Sequence, residues 1–101
     1  MKILEPYRAC IDAIDDRIVA LLAERIGIIR EVAVVKTREN IPAVLQDRVD
    51  AVRERAAAQA EKLGLDPELV RQLYRILIAY SCDLEERIKT DPGTAKKVSG
   101  A

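Results

Sequence analysis

Apolar residues recur along the first third of the chain at Leu4, Tyr7, Ile11, Ile14, Ile18 and Leu21, then at Ile28, Val32 and Val35. The steps alternate between three and four, which is the seam of a heptad helix. The spacing predicts one helix from about Glu5 to about Arg38, with Pro6 suited to its first turn. At 1.5 Å per residue it is about 50 Å long. Carried through the gap between Leu21 and Ile28, the rhythm lands on Arg25. Lys36 follows eleven residues later, on nearly the same bearing and about 16 Å further along the axis. Two cations thus share the apolar face of one helix.

The pattern breaks at "ENIPAVLQ", where Asn40 and Pro42 mark a loop. A second helix is expected over roughly 43–63, with Leu45, Val49, Val52, Ala56, Ala60 and Leu63 on one side and Gly64 as its stop. "DPELV" then restarts a helix, with Asp66 as N-cap and Pro67 in its first position. This third helix, about 67–90, is expected to bury Leu69, Leu73, Ile76, Leu77, Tyr80, Leu84 and Ile88. Residues 91–101 carry no periodicity and read as a flexible tail after a single helical domain, 1–90. The fold class is all-α, three helices per chain. A 50 Å helix beside two of about 30 Å leaves half its seam uncovered, so an intertwined homodimer is expected.

Composition narrows the function. Seventeen basic and seventeen acidic residues give zero net charge, which argues against nucleic acid as a partner. Without His or a CxxC pair, a zinc or iron site has almost no ligands, and no metal is expected; no cofactor is expected either. No 18-residue apolar run is present to cross a membrane. No signal-peptide pattern opens the chain, so a cytoplasmic protein is expected, with Cys10 and Cys82 reduced and buried.

The chemistry lies in polar residues on apolar faces. Arg25 needs an anion, because desolvating an unpaired guanidinium is costly. An internal salt bridge to an Asp or Glu is one reading, and a bound anion is the other. Lys36 is either an ordinary last-turn cation against the helix dipole or one wall of a small dianion site. Arg48 stands beside Val49 of the second helix. Ser81 and Glu85 share a side of the third. Arg8 lies just off the first stripe. The set holds no nucleophile–base pair and suits electrostatic stabilisation of an anion over covalent chemistry.

In "YRACIDAIDDRIVALLAER", the lysine closing "REVAVVK", the "IP" of the loop, "DRV" and "LYRILIAYSCDLEE", the chain resembles the all-helical chorismate mutases and the related isochorismate pyruvate lyase. The resemblance covers about residues 5–90. It implies a homodimer around a small dianionic substrate. Arg25 would clamp one carboxylate, and Arg8 would reach across the dimer to the other. Lys36 would hydrogen-bond the ether oxygen whose bond breaks, with Glu85 opposite it. Arg48 and Ser81 would support the pocket. Chorismate would rearrange to prephenate in one concerted step, with negative charge developing on that oxygen.

Two positions depart from the family pattern. Leu45 and Val49 stand where many mutases carry acids around the ring hydroxyl. The first reading is therefore chorismate mutase. The alternatives are isochorismate pyruvate lyase, which forms salicylate and pyruvate, and a mutase acting on an amino-substituted chorismate. A catalytically inactive, partner-binding helical dimer is the alternative outside enzymology.

Overall fold

The computed structural model describes residues 1–95; the remainder of the expected flexible tail lies outside the described residues. Its three helices are α1 (Glu5–Arg38), α2 (Gln46–Lys62) and α3 (Pro67–Thr90), with short 3-10 turns at Lys2–Leu4 and Pro92–Ala95. The spans expected for α1 and α3 are matched, and none of the described helices is long and apolar enough to cross a membrane.

The helix ends follow from local chemistry. Asp66 caps α3 by accepting from the Glu68 amide at 2.9 Å, and Pro67 takes the position where no amide is needed. Both α1 and α2 end in Schellman turns. Asn40 (φ 55°) and Gly64 (φ 75°) supply the left-handed residue. The Ile41 amide then bonds back to the Lys36 carbonyl at 2.8 Å, and the Leu65 amide to the Ala60 carbonyl at 2.9 Å. The second helix starts three residues later than its periodicity suggests. Leu45 is extended (φ −115°, ψ 99°), and the Ala43 carbonyl turns toward a side chain of α1 and not into a helical ladder.

α3 packs against both other helices, while the backbones of α1 and α2 do not approach each other. A trough therefore opens between α1 and α2, floored by α3. Ala33, Leu84 and Ile88 form the innermost cluster, with Ile26 and Ile29 against it. Ala57 and Ala60 let α2 lie close on α3. On the outside, Arg71 grips Glu54 through Nε and Nη2 at 3.0–3.2 Å and clamps the same pair. That ion pair holds the Glu54 carboxyl below its usual range, Arg71 being the larger cause and Arg53 the next.

Two expectations are corrected here. The inner face of α3 is Val70, Ile78, Ser81, Leu84, Glu85 and Ile88, whereas Leu69, Leu73, Ile76 and Tyr80 are exposed. Two polar residues occupy inward positions, so the apolar stripe read from sequence is displaced onto an outer face. Cys10 is exposed, because none of the described residues covers the first half of α1, and Cys82 is half-buried.

Every residue from 1 to 24 is exposed. Residues 5–24 of α1 are thus a bare helical arm about 30 Å long. The arm carries Tyr7, Ile11, Ile14, Ile18 and Leu21 into solvent.

Candidate active site

The trough holds a cavity of about 430 Å³. α1 lines it with Arg25, Ile28, Ile29, Val32 and Lys36, and the loop adds Ala43 and Leu45. α2 contributes Arg48, Val49 and Val52, and α3 contributes Ile78, Ser81, Cys82 and Glu85. Five of the six polar residues singled out from sequence therefore meet in one space. Arg8 does not: it stands on the bare arm, about 25 Å along the axis from Arg25.

Among the described residues Arg25 meets no carboxylate, so an internal salt bridge to an Asp or Glu is not what holds it. Nη1 donates to Ser81 Oγ at 3.1 Å, and Ser81 in turn donates to the Leu77 carbonyl at 2.8 Å. The guanidinium carbon lies 5.9 Å from the centre of the Tyr74 ring, within range of a cation–π contact. Tyr74 and Ser81 are seven residues apart, two turns of α3, and steady the guanidinium without cancelling its charge. Sequence reasoning missed Tyr74, although its spacing from Ser81 carried the signal.

Lys36 turns inward. Nζ donates to the Ala43 carbonyl at 2.8 Å and lies 2.7 Å from Glu85 Oε1. The second contact is ionic and not an aligned hydrogen bond, since Oε1 is buried without a hydrogen-bond partner. Glu85 itself is 5% exposed and is the only carboxylic side chain on the cavity wall among the described residues. The ammonium has three hydrogens and the carboxyl an unfilled oxygen, so each retains capacity for a guest.

The site has cations at both ends and along α2, one carboxyl, one hydroxyl and an otherwise apolar lining. Cys82 is not a ready nucleophile. Burial, and then the Glu85 charge, push its thiol pKa up, with Lys36 opposing. Such a wall can orient a compact anion and stabilise charge that develops on it. The α2 side, with Leu45, Val49 and Val52, offers no acid.

Residues 7–86 match the family model described as chorismate mutase type II. The 4-amino-4-deoxychorismate mutase of Streptomyces venezuelae is 32% identical over 84% of this chain and 82% of its own length. The protein of the same name from Streptomyces pristinaespiralis is 30% identical over 82% of this chain and 64% of its own length. The T-protein of Enterobacter agglomerans is 29% identical over 86% of this chain, which spans only 24% of that larger protein. No solved structure matches the chain.

Proposed function

The chain belongs to the chorismate mutase type II family and is an isomerase of that family, and on that premise we propose that it rearranges 4-amino-4-deoxychorismate. The observation that carries the choice is the similarity to two Streptomyces mutases named for that substrate. It displaces the first reading of the sequence, which put chorismate ahead of its amino-substituted relative. The cavity agrees. Leu45 and Val49 leave the α2 wall without the acids that the family pattern puts around a ring hydroxyl, so this pocket is not built around that hydroxyl in the usual way.

In this reading, Arg25 and Arg48 hold carboxylate charge, and Lys36 stabilises the ether oxygen as its bond breaks. Ser81 and Tyr74 keep Arg25 aimed. Glu85 is the ionic partner of Lys36 in the free site; a carboxylate only accepts, so it donates to the same oxygen only if it takes up a proton when substrate binds. The enzyme works as a homodimer, in which Arg8 of the partner subunit closes the open end of each trough. The bare α1 arm and the uncovered Leu69, Leu73, Ile76 and Tyr80 of α3 support the dimer. So long an exposed apolar helix is not stable alone in water.

The test is a set of three assays on the purified protein. Chorismate and 4-amino-4-deoxychorismate are followed by loss of ultraviolet absorbance and by product chromatography, and isochorismate by pyruvate release. The expected result is a kcat/KM at least about tenfold higher for the amino-substituted substrate, a transition-state preference of about 1.4 kcal/mol. Preference for chorismate would move the assignment to the plain mutase, and pyruvate release to the lyase.

Substitution examines Glu85 directly. Glu85→Gln keeps a hydrogen-bond donor and should hold kcat within about tenfold of wild type, whereas Glu85→Ala should lose about a hundredfold. An equal loss in both variants removes Glu85 from the donor role.

A further inference from the structure

The last side chain on the inner side of α3 is Lys89, and it points at the catalytic lysine's own backbone. Nζ donates to the Ile41 carbonyl at 2.6 Å and to the Lys36 carbonyl at 3.4 Å. The Lys36 carbonyl is also the acceptor of the Schellman bond from the Ile41 amide, at 2.8 Å. Lys89 therefore clips both ends of the turn that terminates α1.

Glu85 and Lys89 are four residues apart, one turn of α3 and on one side of it. The same strip of α3 thus grips Lys36 at two points, Glu85 at the side chain and Lys89 at the main chain. The loop closes the circuit. Two residues beyond Ile41, the Ala43 carbonyl takes the Lys36 ammonium at 2.8 Å. That carbonyl is fixed only if the loop is fixed, and Lys89 is the side chain seen to tie the loop to α3. The half-buried ammonium also sits where the carbonyl end of the α1 dipole favours positive charge.

We propose that Lys89 is a positioning residue for Lys36: by pinning the α1 C-terminal turn and the Ala43 carbonyl to α3, it sets where the Lys36 ammonium meets the reacting oxygen. The inference rests on the mutase reading for its kinetic part. Lys89 lines none of the trough and so does not touch substrate. Its loss acts on kcat through the placement of Lys36, to which rate is steeply sensitive, and leaves the carboxylate clamps in place.

The experiment compares the wild type with Lys89→Met and Lys89→Arg, by steady-state kinetics and by amide hydrogen exchange across residues 36–44. Lys89→Met should lose about tenfold or more in kcat, with KM changed less than about threefold. The Ile41 amide should exchange at least about tenfold faster relative to the amides of α2. Lys89→Arg, which keeps charge and donors, should recover both to within about threefold. If Lys89→Met folds poorly, Lys89→Gln carries the same comparison.

A variant with wild-type kcat and only a lowered melting temperature would overturn the positioning role. So would unchanged exchange at Ile41. The exchange measurement stands apart from catalysis. If the wild type rearranges neither substrate while Ile41 protection still depends on Lys89, the mutase reading has failed and the clip has not.

Discussion

Replacing Lys36 by methionine should lower kcat by about 10²–10³-fold, the usual effect of removing one preorganised donor from a developing oxyanion. At about 1.4 kcal/mol per decade this is roughly 3–4 kcal/mol of transition-state stabilisation. KM should move far less, because the proposed carboxylate clamps, Arg25 and Arg48, are left in place. The substitution also strands Glu85, whose closest cation is the Lys36 ammonium at 2.7 Å, and breaking a buried pair from one side is destabilising. The double variant Lys36→Met/Glu85→Gln removes both charges together. It should recover stability in urea without recovering kcat. If either variant kept kcat within tenfold of wild type, the charge on the breaking oxygen would have to be met elsewhere.

The second large effect concerns assembly. Asp at both Ile14 and Ile18 should convert a dimer to dissociated, poorly folded chains and abolish activity. Both side chains are about half exposed within one chain, at 51% and 49%, so a monomeric protein would tolerate the change within about 1 kcal/mol. In a dimer the same positions bury charge in an apolar seam. Sedimentation and the concentration dependence of the urea midpoint decide the matter. A wild type that is monomeric and active at micromolar concentration would remove the dimer and the shared arginine together.

Complementation tests the sharing itself. Arg8→Ala and Arg25→Ala chains, each inactive alone, should regain about one quarter of wild-type sites when refolded as an equal mixture. Half of the dimers are then mixed, and each mixed dimer has one intact site.

The sites of these changes were not equally visible in the chain. Arg25 and Lys36 could be placed on one face of one helix before any fold was known, because eleven residues close three helical turns whatever surrounds them. The same holds for the ends of α3 and the stop after α2, where Asp66, Pro67 and Gly64 act on backbone a few atoms away. Ser81 and Glu85 were legible as neighbours one turn apart, but not as inward-facing. Their polarity disguised the buried face of α3, and the outer row of Leu69, Leu73, Ile76 and Tyr80 took its place.

Sequence by itself determined the three helices, their stops and the shared bearing of the two seam cations, since those follow from local backbone chemistry and helical period. Only the tertiary structure decided that Arg25 rests between Ser81 and Tyr74 with its charge uncancelled. It alone turned the Ala43 carbonyl toward Lys36 and brought Lys89 back onto the end of α1. Those contacts join residues about 50 positions apart or use main-chain oxygens that every residue carries. Periodicity cannot encode them; they arise from how α3 lies between the other two helices.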